Sequence, residues 1–119
     1  MASIPVLLDD WEHMCCGKRR AVGDAVRMRV HNYEGTIYER RHGDIDDSES
    51  HTQPITGTIT SIRFRPAIML KESDYGRRLV GYEPGIPVES TDYADPPMGP
   101  DWAFEFTVET DDPIPPPRD

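Results

Sequence analysis

Trp102-Ala103-Phe104-Glu105-Phe106-Thr107-Val108-Glu109 is the stretch that best indicates how this chain folds. Its large apolar residues alternate with small or polar ones, and a period of two is typical of a β-strand that packs one face on a core. Residues 25–31 alternate in the same way. The turn-forming residues at 32–35 follow them and predict a hairpin whose second strand covers residues 36–40.

Three more segments are predicted to form strands. Residues 4–11 begin as an apolar run and indicate a short, buried first strand. Residues 55–70 have β character, and we expect Gly57 to mark a bulge or a close backbone contact and Pro66 to end or bend the strand. A short strand is expected near residues 78–82, and no helix of normal length is predicted. The fold class is therefore all-β: a small SH3-like or partly open β-barrel of five to seven short strands with long Pro/Gly-rich loops.

Length and proline content bound the domain organisation. A chain of 119 residues forms one domain that is large enough to bury a core without disulfide or metal staples. Twelve prolines and nine glycines favour short strands joined by irregular loops over packed helices. We predict one barrel-like domain over residues 1–112, with a long loop at 71–101. A proline-rich tail at 113–119 follows it and cannot join a sheet.

Negative charge is concentrated in the last third of the chain. Residues 1–79 hold 12 basic and 12 acidic residues, whereas residues 80–119 hold one arginine and 10 acidic residues and so carry the whole net charge of −9. Such a field opposes non-specific binding to nucleic acid and to anionic membranes. It either keeps the chain soluble or favours a basic protein partner. The residues predicted to contact a partner are Tyr82, Glu83, Glu89, Asp92, Tyr93 and Asp95.

Two adjacent cysteines are the only candidates for soft-ligand or redox chemistry. With nearby histidines they could form a tetrahedral zinc site, although adjacent cysteines converge poorly on one ion. The basic residues that follow them would instead favour a reactive thiolate or a vicinal disulfide. The favoured interpretation is that they fill the core as small apolar side chains, so no cofactor is expected and zinc is the alternative. The residues of the alternative zinc site are His13, Cys15, Cys16, His42 and His51.

Three other kinds of site receive less support. The acidic loop at 44–51 has enough carboxylates for calcium, but it lacks the glycine and the final glutamate of an EF-hand loop. No Gly-x-Ser-x-Gly motif or phosphate-binding glycine loop is present, so an enzyme is not expected. Small β-barrels also bind nucleic acids through basic faces, and weak binding of this kind is a further alternative. That face would comprise Arg27, Arg29, His31, Arg40 and Arg41, joined by Arg63 and Arg65.

The pattern Asp-Trp-x-x-x-Cys-Cys-Gly-x-x-x-x-Val-Gly-Asp-x-Val is present from Asp10 to Val26. It resembles a family of small actinobacterial proteins of unknown function. The Gly-Thr-Ile sequence at residues 57–59 is similar to the middle of that family, and the resemblance covers residues 5–65. It implies a soluble bacterial protein and supplies no activity.

The absence of targeting signals completes the functional hypothesis. No apolar run reaches the roughly 18 residues of a membrane span, and residues 3–8 are too short for the core of a signal peptide. We therefore expect a cytoplasmic protein with reduced thiols. Its expected function is that of a non-catalytic binding or regulatory module that acts through protein contacts, with the acidic C-terminal third as the recognition surface.

Overall fold

The computed structural model describes residues 2–9, 19–40, 52–71, 73, 76–92 and 102–117. These residues form seven β-strands, numbered here in chain order, and the predicted all-β class is confirmed. Within them no helix has the length and apolarity that a membrane span requires. The strands are β1 (Ala2–Asp9), β2 (Ala25–Tyr33), β3 (Thr36–Glu39), β4 (Gln53–Lys71), β5 (Arg77–Tyr82), β6 (Ile86–Val88) and β7 (Trp102–Thr110).

Five of the strands close into a barrel. They are paired in the order β2, β3, β1, β7 and β4, and a further pairing of β4 with β2 completes the ring. The β1–β3 pair is parallel and the other four are antiparallel. Closure removes the free strand edges that an open sheet exposes. The sequence allowed a partly open barrel, whereas the structure has a closed one with β5 and β6 added along β4.

Strand β4 has 19 residues and organises the barrel. It pairs with β2 over residues 53–58, with β7 over 57–66, with β6 over 62–64 and with β5 over 67–71. Of the two alternatives predicted for Pro66, an end of the strand is wrong, because pairing continues to Lys71, and a bend stays a prediction. One strand therefore belongs to both the barrel and the two-stranded ribbon formed with β5.

A bulge changes which side chains of β4 face the core. The register with β7 shifts between Ile59 and Ser61, so Ile59 before the shift and Ile62 after it are both buried. Strict alternation would place those two isoleucines on opposite faces. The close backbone contact predicted at Gly57 is confirmed, since a Cβ atom there would lie 2.3 Å from the carbonyl oxygen of Glu109.

The barrel interior is a single apolar core in which aromatic rings contact one another. The ring centroids of Phe64 and Phe104 are 5.7 Å apart in an edge arrangement, and Trp102 meets Phe104 at 5.3 Å. Such pairs add specific geometry to the burial of large apolar surfaces. The core contains Ile4, Val6, Leu8, Met28, Val30, Ile37, Ile55, Ile59, Ile62, Phe64, Phe104, Phe106 and Val108.

A largely buried ion pair joins a connecting segment to the barrel. The Arg20 guanidinium donates to both carboxylate oxygens of Glu39, at 2.8 Å for its Nη2 atom, and the two side chains are 11% and 2% exposed. The same guanidinium lies 5.3 Å from the centre of the Phe106 ring. The Arg20 amide donates to Thr91 Oγ1, and the Thr91 amide donates to the Arg20 carbonyl oxygen. The segments around residues 20 and 91 are thereby held against the barrel.

The proline-rich segment also packs on the barrel. Asn32 Nδ2 donates to the carbonyl oxygen of Pro115 at 3.1 Å, and Pro115 is buried. Gln53 Nε2 donates to the carbonyl oxygen of Pro113, and the Thr56 amide donates to Asp112 Oδ2 at 2.6 Å. Residues 113–117 form no strand, as expected, but they are docked through backbone carbonyls.

Candidate functional site

The outer face of the barrel is partly covered. Strand pairing places Leu7 beside Tyr38 on one side and beside Glu105 on the other. These residues point away from the core, because their neighbours along β1 and β7 point into it. Leu7 is nevertheless only 6% exposed, and Ala103, which also faces outward on β7, is fully buried. Side chains outside the barrel therefore pack against this face.

The covering elements leave a groove of about 880 Å³, a volume within the range of natural ligand pockets. The β2–β3 hairpin forms one wall and residues 79–82 of β5 form the other. Strands β1, β4 and β7 provide the floor, and Ile114 of the C-terminal segment also borders the groove. The lining residues are Ile4, Pro5, Leu7, Asn32, Tyr33, Glu34, Gly35, Thr36, Ile37, Tyr38, Arg65, Leu79, Val80, Gly81, Tyr82, Glu105 and Ile114.

The hairpin wall is shaped by a two-residue turn at Glu34-Gly35, which lies within the turn predicted at residues 32–35. Glu34 and Gly35 have φ angles of 51° and 94°, which are the left-handed values of a type I′ turn. The Gly35 amide donates to Asn32 Oδ1 at 2.8 Å, while Asn32 Nδ2 holds Pro115. One buried asparagine thus connects the turn to the C-terminal segment, and the turn presents Tyr33 and Glu34 at the edge of the groove.

Tyr38 is the half-buried aromatic residue of this wall. Its ring stacks on His31, which is its direct partner in the β2–β3 register, with ring centroids 5.6 Å apart. Burial raises the pKa of the Tyr38 phenol above its ordinary value of 10.0, and the charges of Asp9, Tyr33 and Glu34 raise it further. Two of these neighbours are carboxylates, so the electrostatic environment of Tyr38 is negative.

Arg65 fastens the opposite wall to the floor. Its Nη1 atom donates to Glu105 Oε2 at 2.7 Å, Nε donates to the Glu83 carbonyl oxygen at 2.7 Å, and Nη2 donates to the Tyr82 carbonyl oxygen at 2.9 Å. Its guanidinium also lies 6.0 Å from the centre of the Tyr82 ring. Arg63 adds bonds to the carbonyl oxygens of residues 84 and 85, each at 2.9 Å. Each of the three guanidinium nitrogens of Arg65 therefore donates a hydrogen bond within the protein.

Apolar side chains line the groove without being buried. Tyr33, Leu79, Val80 and Ile114 are each about half exposed. Val80 is the extra residue of an irregularity in the β4–β5 pairing, where Ile68 pairs with Gly81 but the next residue pairs with Leu79. Bulges often re-aim side chains next to functional sites. Exposed apolar residues gathered in one concave place indicate a binding surface.

The residues predicted to contact a partner do not all lie in this groove. Tyr82 lines the groove. Glu83 is the next residue in the chain but is not among the lining residues, and Glu89 follows the end of β6. Asp92 forms an exposed ion pair with Arg19. Tyr93 and Asp95 lie outside the described residues.

Sequence reasoning missed the contribution of the hairpin to the groove. In the sequence, Tyr33 and Glu34 belong to a predicted turn and Tyr38 to a predicted strand, and none of them was assigned to a groove. The available signal was the exposed tyrosine, Tyr33, next to the turn. The sequence does not show that β5 lies on the other side of the groove from this hairpin.

The residues of the alternative zinc site, His13, Cys15, Cys16, His42 and His51, lie outside the described residues, as does the acidic loop at 44–51. Within the part of the chain that the structure describes, no group of three or more His, Cys, Asp or Glu side chains could hold a metal ion.

The structure describes all but one residue of the predicted basic face for nucleic acid, and several of these residues bond to other parts of the protein. Arg63 and Arg65 bond to backbone carbonyls of residues 82–85, and Arg65 also bonds to Glu105. Arg29 donates to Thr52 Oγ1. Arg41 lies outside the described residues.

Most of the residues that line the groove are apolar or aromatic. Among its described lining residues there is no histidine, cysteine, serine or lysine, whereas glutamate and tyrosine, which can also act as general acids or bases, are present. Aromatic and aliphatic walls around a few polar groups are typical of a recognition site.

Comparison with known proteins gives a family without an activity. No curated protein matches this chain, and no solved structure matches it. The model of DUF6578, a family of unknown function, matches residues 2–85. This match includes the whole stretch, 5–65, for which the sequence resembles an uncharacterised family, and it spans β1 to β5. The chain therefore belongs to DUF6578, a family of unknown function.

Proposed function

We propose that this protein is a non-catalytic binding module that recognises an extended, basic and apolar segment of a partner protein in the groove between the β2–β3 hairpin and β5. The observation that carries the proposal is the convergence of four half-exposed apolar side chains on one groove. These are Tyr33, Leu79, Val80 and Ile114. Burying such side chains against a partner removes apolar surface from water, which is the main driving force of protein association.

The wall formed by β5 supports an extended ligand. β5 is the last strand of the described sheet order, and its edge away from β4 has no partner strand among the described residues. Residues 79–81 of this strand line the groove. An extended segment that lies there can add main-chain hydrogen bonds to a strand edge while its side chains enter the groove.

The charge of the groove supports a basic partner. Two carboxylates, Glu34 and Glu105, and one arginine, Arg65, line it. The arginine is already bonded to Glu105 and to two backbone carbonyls. The chain as a whole carries a net charge of −9, which accelerates encounter with a positively charged partner. The acidic C-terminal third thus contributes long-range attraction, and the groove supplies the contact.

A displayed library of random short peptides tests the proposal. Peptides are selected on the wild-type protein and then measured against Leu79→Asp and against the control variant Leu70→Asp. Leu70 is equally exposed on the same ribbon but does not line the groove. We expect Leu79→Asp to weaken binding by roughly tenfold or more, because it removes about half of a leucine burial and adds a charge that the complex would desolvate.

The control decides where the peptides bind. Binding to Leu70→Asp should stay within roughly twofold of wild type. Equal losses in the two variants would mean that the groove is not the site, and a selection without any enriched peptide would remove the support for a peptide-binding module.

A further inference from the structure

The groove is lined by tyrosine rings and carboxylates as well as by aliphatic side chains, so its lining offers more than apolar contacts to a partner segment. Tyr33, Tyr38 and Tyr82 line it. In the β2–β3 register, His31 pairs with Tyr38 and Tyr33 pairs with Thr36. Tyr33 and Tyr38 therefore occupy diagonal positions on one face of the hairpin, which is within the reach of aromatic side chains. The side chains of Tyr33, Glu34 and Tyr38 all line the hairpin end of the groove, where the Tyr38 ring also stacks on His31.

The opposite wall already shows how this surface accommodates a cation. The Arg65 guanidinium lies over the Tyr82 ring and is neutralised by Glu105. A positive charge over an aromatic face, with a carboxylate beside it, is a recurrent and favourable arrangement. The hairpin end offers the same two elements, ring and carboxylate, but no cationic side chain of the described lining residues occupies them.

Glu34 provides an independent indication, because its backbone conformation is unfavourable for glutamate. Its φ angle of 51° is a value that asparagine, aspartate and glycine adopt far more readily. Backbone strain of this kind persists where the side chain or the geometry serves a function. The Glu34 side chain is exposed at the edge of the groove, so it contributes no packing that would account for its presence.

We propose that Tyr33, Glu34 and Tyr38 form a subsite for one cationic side chain, arginine or lysine, of the partner segment. This inference rests on the proposed function, since it names the anchor of the ligand that the groove holds. Asp9 adds a second negative charge near Tyr38. An anionic anchor would be repelled by the Glu34 carboxylate, which lines this end of the groove.

Titration with small probes tests the subsite without a selected peptide. N-acetylarginine methylamide is the cationic probe, and N-acetylcitrulline methylamide is its uncharged counterpart of the same shape. Nuclear magnetic resonance of the full chain follows the signals of the Tyr33 and Tyr38 rings. We expect saturable shifts with the arginine probe and at least fivefold weaker binding of the citrulline probe. Equal binding of the two probes, or shifts confined to other regions, would overturn the subsite.

Variants separate the carboxylate from the fold. Glu34→Gln keeps the side-chain length and removes the charge, and we expect it to weaken binding of the arginine probe by at least threefold. Glu89→Gln removes an exposed carboxylate outside the groove and should leave binding unchanged. If Glu34→Gln and Glu89→Gln behave alike, the effect is one of net charge and the subsite is wrong.

The peptide selection distinguishes this inference from the proposed function. Selected peptides that lose affinity for Leu79→Asp, but contain no basic residue and ignore Glu34→Gln, would leave the binding module in place and refute the cationic anchor. Shifts of the Tyr33 and Tyr38 signals on concentrating the protein alone would place a second copy in the groove and overturn the assignment to a separate partner.

Discussion

Replacing Glu34 by asparagine should make the protein more stable while weakening its cation subsite. A non-glycine residue in the left-handed region costs about 1–2 kcal/mol, and Glu34 has φ 51°. Asparagine followed by glycine is among the preferred pairs for a type I′ turn. If the exchange removes about half of that cost, the free energy of unfolding rises by about 0.5–1 kcal/mol. For a domain of this size the melting temperature should rise by about 2–6 °C.

Chemical denaturation of three variants provides the assay. The midpoint should increase for Glu34→Asn with an unchanged slope, which reports a change in stability alone. Glu34→Gln removes the same charge but keeps a side chain that disfavours the left-handed region. Its free energy of unfolding should therefore increase by less than that of Glu34→Asn. Glu89→Asn controls for the loss of a surface carboxylate and should stay within about 0.5 kcal/mol of wild type. The reasoning is refuted if Glu34→Asn is no more stable than Glu34→Gln.

Three further outcomes are expected. Glu39→Gln should lower the free energy of unfolding by about 3–5 kcal/mol, because it leaves the Arg20 guanidinium buried without its counter-charge. The double variant Arg20→Met with Glu39→Leu should lower the free energy of unfolding by less, and urea denaturation measures both changes. Because the native pKa of Tyr38 is raised, the unfolded chain loses this proton first, so stability should be independent of this group below about pH 10 and fall above it. Tyr38→Phe should show a smaller alkaline loss in denaturant titrations from neutral to alkaline pH. Native mass spectrometry without chelator or reductant should give the bare polypeptide mass with two free thiols; an added zinc mass that disappears in Cys15→Ser with Cys16→Ser would contradict this.

The strands were predictable where local alternation carries the information. Residues 102–109 alternate without interruption, and β7 covers them. The turn at Glu34-Gly35 was also readable, since its residue types report backbone conformation directly. Strand β4 was only partly readable, because the bulge after Ile59 depends on its pairing with β7 and is invisible in its own alternation.

The candidate site could not be predicted for the same physical reason. Leu7 reads as one more residue of an apolar run, and only the strand register shows that it faces outward beneath other side chains. Arg20 and Glu39 read as solvated charges, although they form a buried pair across the fold. Tyr82 was predicted as a contact residue from composition, but its place in the groove depends on Arg65, which is 17 residues away. Contacts between segments that are distant in the sequence determine the surroundings of these residues, and the sequence alone does not reveal those contacts.

The pairing of β1 with β7 has a consequence for synthesis of the chain. Ala2 pairs with Thr110, and the two strands stay in register over the whole length of β1. At roughly 5–20 residues per second, β7 leaves the ribosome about 5–20 s after β1. Until β7 is made, one edge of β1 and one edge of β4 have no native partner strand, so the barrel can close only after β7 has left the ribosome. A fragment that ends at residue 85, where the family match ends, would keep both edges open and should aggregate.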